Sequence, residues 1–321
     1  MFDQKPAQII IAHRGASGYL PEHTLAAKAM AHALGAHYLE QDVVLTADDR
    51  CIVLHDIYLD GVTDVKKKFP RRAREDGRYY AIDFTLEEVR TLSVHERTDP
   101  RTGRPVYPGR FPINASRFFV PTLEEEIELI QGLNKSTGRE AGIYVEIKRP
   151  AWHERQGKDP TRAVLAILHR YGYRRRDDRA FIQCFDPATL RRLREEMGCE
   201  LPLIQLIDEE GGEEAPRVDY AYLRTPEGLA EIAAYAEGIG PYLGQILTGV
   251  TADGQPRITT LVADAHAAGL LVHPYTFRAD ELPPGVPDFD TLLRWFLHHI
   301  HVDGLFTDHP DRAVRVLRRL P

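Results

Sequence analysis

The sequence predicts an α/β fold, a (β/α)8 TIM barrel with a small inserted subdomain after the second strand. Short apolar runs alternate with amphipathic stretches in eight β-then-α units, the pattern of a closed parallel sheet wrapped in helices. The 321 residues fit one such barrel with insertions. Charged and imidazole side chains gather at the ends of the apolar runs, where barrels of this kind carry their chemistry.

The first predicted strand, 8–12, holds Ile9-Ile10-Ile11-Ala12 and runs straight into His13-Arg14-Gly15. A helix at 24–34 follows, with Thr24 as N-cap and Gly35 just past its end. Strand 38–45 contains Glu40-Gln41-Asp42, and a short strand near 51–55 pairs with it and delivers His55-Asp56. The helix at 122–132 opens on Leu123-Glu124-Glu125-Glu126, acids at the favourable positive end, which accounts for them without a metal. Strand 142–148 carries Ile143-Tyr144-Val145 into Glu146-Ile147-Lys148. Strands at 180–185, 202–207, 237–240, 270–275 and 303–307 then alternate with helices at 160–171, 187–197, 226–236, 258–268 and 288–299. The last helix, 310–319, has Asp308 before Pro310 as its N-cap.

The stretch 57–117 breaks this alternation. A structureless loop of that length is rare in a compact domain, so it reads as an inserted subdomain within a single domain spanning 1–321. Following His55-Asp56 directly, it is expected to cover the C-terminal mouth of the barrel. Its basic residues, Lys66-Lys67-Lys68, Arg71, Arg72 and Arg74, read as a solvated face rather than a phosphate-steering patch.

The net charge of −7, with 41 basic and 48 acidic residues interspersed, argues against nucleic acid as the main partner. No apolar run is long enough to cross a membrane. The first eight residues are too short and polar for a signal peptide, which as written points to the cytoplasm. Cys51, Cys184 and Cys199 are odd in number and lack metal spacing, so buried or free thiols are expected. The sequence carries no signal for oligomeric state.

Side chains at i and i+2 of a strand share a face. Glu40 and Asp42 therefore project together, as do Glu146 and Lys148. Adjacent acids are costly unless a cation lies between them, and hard oxygen donors suit Ca²⁺ or Mg²⁺. With the two histidines, Arg14 and Lys148, this inventory suits a metal-assisted reaction on a phosphate.

His13-Arg14-Gly15, Pro21-Glu22-His23-Thr24, Glu40-Gln41-Asp42, His55-Asp56, Glu146-Ile147-Lys148 and Thr307-Asp308-His309-Pro310 together resemble the glycerophosphodiester phosphodiesterases over nearly the whole chain. The likeness is to the larger, calcium-dependent bacterial type, usually periplasmic. That location stands as the alternative if a signal peptide has been removed. The resemblance implies hydrolysis of deacylated phospholipids, such as glycerophosphocholine and glycerophosphoethanolamine, to sn-glycerol 3-phosphate and an alcohol through a cyclic phosphate. It implies His13 and His55 as the proton-transfer pair, Glu40, Asp42 and Glu146 as ligands of one divalent cation, Ca²⁺ favoured over Mg²⁺, and Arg14 and Lys148 as phosphate contacts. Glu22 is expected to orient Arg14 or the surroundings of the metal. Gln183 and Tyr275 stand at strand ends where relatives carry site residues. The family more often has Asn at the position of His23, which is given no catalytic role. His273, His298, His299 and His301 read as rim or surface residues. Two alternatives remain: a phospholipase D-like lyase of related fold that stops at the cyclic phosphate, and a barrel that binds glycerophosphodiesters without turnover.

Overall fold

The computed structural model describes residues 8–113, 115–209 and 214–318. Residues 1–7, and residue 319 at the end of the last predicted helix, lie outside them. The strands are β1 (Ile9–Ala12), β2 (Tyr38–Leu45), β3 (Cys51–Val53), β4 (Gly142–Ile147), β5 (Ala180–Cys184), β6 (Leu203–Ile207), β7 (Gly238–Pro241), β8 (Leu247–Val250), β9 (Pro256–Ile258), β10 (Leu271–Val272) and β11 (Gly304–Thr307). Eight of them pair in parallel in the order β10-β7-β6-β5-β4-β2-β1-β11. The barrel closes where the chain after β10 meets β11: Asp303 N donates to Val272 O at 3.0 Å and Phe277 N to Phe306 O at 2.8 Å. β3 runs antiparallel on β2, and β8 and β9 form a separate hairpin that periodicity did not announce.

The barrel strands are buried on both faces, as parallel strands between helices and a packed interior must be. Leu39, Val43, Ile143, Val145 and Ile147 point outward into the core shared with the helices. Inside, Ile11, Tyr38, Tyr144, Ile204 and Phe306 form a second layer. Tyr144 stacks on Phe181 with ring centroids 4.8 Å apart and meets Phe306 edge-on at 4.9 Å. This aromatic floor fills the lower barrel, and the polar side chains stand above it, toward the strand C-termini. His273 belongs to the floor rather than to the rim. It is 1% exposed and its Nδ1 lies 2.9 Å from the Tyr144 hydroxyl. A buried phenol needs a partner, which is why a histidine expected at the rim or surface sits here instead.

Thr24 caps the helix Leu25–Ala33 by accepting from Ala27 N. Thr122 and Glu125 form a capping box on the helix Leu123–Thr137. Glu126 departs from the expected helix-end role: it is fully buried and pairs with Lys28 at 3.0 Å. Residues 57–94 bury an apolar cluster of their own, including Leu59, Val62, Phe84, Val89 and Leu92, against Val44, Ile52 and Leu54. The basic residues of this segment make surface pairs, Arg72 with Glu88 at 2.8 Å and Arg74 with Asp83 at 2.7 Å. The three cysteines are buried and unpaired.

Candidate active site

The site is built by register. Asp42 and Glu146 are Cα partners across β2 and β4, and Glu146 and Gln183 are partners across β4 and β5. Glu40 sits two residues back on the same face of β2. The carboxylate oxygens of Glu40, Asp42 and Glu146 come within 4.8 Å of one another, all three buried. Burial, with Asp42 alongside, pushes Glu40 up to about 8. Burial also drives Glu146 well above the usual carboxylate range. Asp42 is buried too, yet His23 and Lys148 hold it well below that range. Among the described residues its Oδ1 has no hydrogen-bond partner. Three acids that repel one another in a dry pocket, with one oxygen unpaired, fit a hard cation bound by oxygen.

Arg14 adopts a left-handed backbone, φ 57°, and Gly15 follows at φ 87°. A Cβ on Gly15 would meet the Ala27 carbonyl carbon at 2.9 Å, so only glycine lets the turn pack on the first helix. This turn aims the Arg14 amide at Glu40 Oε2, 2.7 Å away, and the guanidinium at Glu22, 3.1 Å away. Gln183 Nε2 donates to the other Glu40 oxygen at 3.0 Å. Lys148 Nζ donates to Glu146 at 2.6 Å and lies 3.0 Å from Glu214. These carboxylates raise the Lys148 pKa despite its burial, so it stays charged. Tyr275 lines the same cavity, its hydroxyl donating to Ile207 O at 3.0 Å.

Each of His13 and His55 is backed by a carboxylate. His13 Nδ1 lies 2.6 Å from Asp308 Oδ1, and His55 Nδ1 lies 2.6 Å from Asp56 Oδ1. Burial, then Arg14, lowers His13 to about 4; burial, Arg14 and Lys148 lower His55 to about 3. Both rings are therefore neutral near pH 7. With Nδ1–H donated to its carboxylate, each ring keeps the Nε2 lone pair free. Both line one cavity of about 130 Å³, together with Arg14, Glu40, Glu146, Lys148 and Gln183.

Asp308 corrects the sequence reading. Expected as the N-cap of the last helix, it turns inward instead, because burial beside His13, Arg278 and Arg110 gives its charge three partners. Against the effect of burial, these groups hold its carboxyl well below the usual range. His23 also has more to do than its sequence position indicated. Lys28 Nζ can only donate and lies 3.2 Å from His23 Nδ1, so Nε2–H donates to Asp42 Oδ2 at 2.6 Å. Sequence reasoning gave no role to Asp56, although it adjoins His55. It missed Arg97, Arg110, Arg278 and Glu214, which lie in irregular segments where no periodicity marks a direction.

The chain matches the glycerophosphoryl diester phosphodiesterase family over residues 13–312. A glycerophosphodiester phosphodiesterase of Haemophilus influenzae is 44% identical, covering 98% of this chain and 91% of that one. One from Treponema pallidum is 37% identical, covering 97% and 92%. The crystal structure of a candidate glycerophosphoryl diester phosphodiesterase from Silicibacter pomeroyi superposes with a TM-score of 0.73 at 27% identity, covering 98% of this chain and 94% of that one. With a barrel of the same architecture and an acid cluster of this chemistry at its mouth, the chain is an enzyme of the glycerophosphoryl diester phosphodiesterase family.

Proposed function

We propose that this enzyme hydrolyses small glycerophosphodiesters, such as glycerophosphocholine and glycerophosphoethanolamine, to sn-glycerol 3-phosphate and the head-group alcohol. The observation that carries the reading is the convergence on one cavity of two carboxylate-backed histidines, two cations and the buried acid cluster. Glu40, Asp42 and Glu146 would hold one divalent cation, since the donors are all oxygens; the likeness to the calcium-dependent type favours Ca²⁺ over Mg²⁺. When bound, the ion neutralises charge that builds on the phosphoryl group. The insertion between His55 and β4 supports placing the chain with the larger, calcium-dependent type of the family.

The chain's own residues do the rest. Arg14 and Lys148 balance the negative charge of the phosphodiester, Arg14 with its planar fork and Lys148 as a point charge. One histidine takes the proton of the free glycerol hydroxyl as that oxygen attacks phosphorus. The other, which takes up a proton on Nε2 as the anionic substrate binds, gives that proton to the departing alcohol oxygen, and a cyclic phosphate remains. In the second half the roles reverse: water loses a proton to one histidine, opens the ring, and the other reprotonates the glycerol oxygen. Asp308 and Asp56 fix the tautomer of each ring throughout. The aromatic floor excludes water from below. The direct test is release of sn-glycerol 3-phosphate from glycerophosphocholine in EDTA, Ca²⁺ or Mg²⁺. Release that needs a divalent ion is expected; full activity of the stripped protein in EDTA would refute the metal role.

A further inference from the structure

We propose that the insertion is part of the catalytic apparatus, with Arg97 positioning His55 through Asp56 and Arg110 positioning His13 through Asp308. The proposal rests on the proton-transfer role of the two histidines given above.

The contacts form two matched chains. His55 donates to one oxygen of Asp56, and Arg97 Nη1 donates to the other at 2.6 Å. Arg97 also grips Glu22 with Nη2 and Nε, at 2.7 and 3.0 Å, and Glu22 in turn holds Arg14. On the other side His13 binds one oxygen of Asp308, and Arg110 Nη2 donates to the other at 2.7 Å. Arg110 is itself anchored on Asp280, with Nε 2.8 Å from Oδ2. Its side chain is only 5% exposed, and that of Arg97 is 18% exposed.

A carboxylate fixes a histidine only if it is itself fixed and ionised. An arginine on the distal oxygen supplies both, as a planar, permanently charged donor. The barrel alone does not supply this for Asp56, whose side-chain partners among the described residues are His55 and Arg97. Asp308 has a second support, because Arg278 Nε also donates to its Oδ2 at 3.0 Å. The two chains are therefore unequal. Losing Arg97 leaves Asp56 only its bond to His55, whereas losing Arg110 leaves Asp308 held by Arg278 as well as His13. The stretch around Arg97 and Arg110 lies outside the apolar cluster of the insertion, so these arginines are not needed to close that cluster.

The test is steady-state hydrolysis of glycerophosphocholine, with Ca²⁺ and Mg²⁺ present, by the full chain and its variants R97M, R97K, R110M, D56N and R97M/D56N, with thermal melting of each. R97M is expected to lower kcat at least about tenfold with KM changed less than about twofold, short of the ~10²–10⁴ lost with a proton-transfer group itself. R97K, which keeps the charge but not the fork, should recover part of kcat and carries the test should R97M fail to fold. In the D56N background R97M should cost less than about twofold more, because residues acting as one unit are not additive. R110M should lose less than R97M. Unchanged kcat with a raised KM in R97M and R97K, or full additivity with D56N, would overturn the proposal, since the arginine would then bind substrate or merely tether the chain. Wild-type kcat in H13A and H55A would instead overturn the histidine roles on which it rests.

Discussion

Asp42 and Glu146 stand opposite each other as Cα partners in the parallel register of β2 and β4, and both turn into the barrel. A shift of one residue would send one carboxylate outward into the helix core. The register thus makes the acid cluster, and its neighbours act on the two carboxyls in opposite directions: burial raises the Glu146 pKa, while His23 and Lys148 hold that of Asp42 low.

That asymmetry yields the first prediction. E40Q, D42N and E146Q should each lose more than about 100-fold in activity, a loss of several kcal/mol in transition-state stabilisation. Added Ca²⁺ should raise the melting temperature of the wild-type protein, because it binds only the folded state, and should do so far less in D42N. Equal Ca²⁺ shifts in both proteins would place the ion elsewhere.

H13A and H55A should each lose about 10²–10⁴ in kcat while remaining folded. Because the two rings serve one proton relay, the double variant should be little worse than the poorer single one. Two active single variants would reduce both residues to structure.

Substrate chemistry gives an independent check. Glycerophosphocholine and glycerophosphoethanolamine carry a free hydroxyl beside the phosphoester and should turn over well. The analogue methylated at that hydroxyl, and bis(p-nitrophenyl) phosphate, should turn over poorly. Phosphorus NMR should end at glycerol 3-phosphate, with a cyclic species at most transient. An accumulating cyclic phosphate would identify a lyase, and rapid cleavage of the methylated analogue would exclude neighbouring-hydroxyl attack.

Lys28 and Glu126 are both fully buried and 3.0 Å apart. Removing one partner strands a charge, so K28M should cost about 3–5 kcal/mol in urea unfolding. K28M/E126L should recover much of it, since an apolar pair of similar volume carries no desolvation cost. A loss in the double variant as large as in the single would show that the bond from Lys28 to the Glu40 carbonyl matters more.

His273 supports a pH prediction. Burial lowers it from 6.5 to about 4. The unfolded chain therefore takes up its proton first, and folding stability is full above pH 6.5 and declines as pH falls toward 4. The slope from one such ring is at most about 1.4 kcal/mol per pH unit. H273Q should flatten this part of the urea-midpoint profile, and an unchanged profile would mean that other buried histidines carry it.

Much of this protein could be read along the chain. Ile9-Ile10-Ile11-Ala12 before His13, and the i, i+2 spacing of Glu40 with Asp42 and of Glu146 with Lys148, are local patterns, because a strand's alternation is written into consecutive residues. The N-cap at Thr24 is equally local. What only the tertiary structure decided lies in contacts between distant segments. Asp308 reaches His13 across 295 positions, and Arg110 reaches Asp308 across 198, from a stretch with no regular element. His273 reads as a rim or surface residue until the barrel closes and places it against Tyr144. The sequence by itself determined the barrel strands, their inward faces and the chemistry those faces carry, since these follow from backbone geometry over a few residues. Closure of the sheet decided which carboxylate backs which histidine and which arginine holds it, since side-chain pairing in a barrel depends on register and on where irregular segments return.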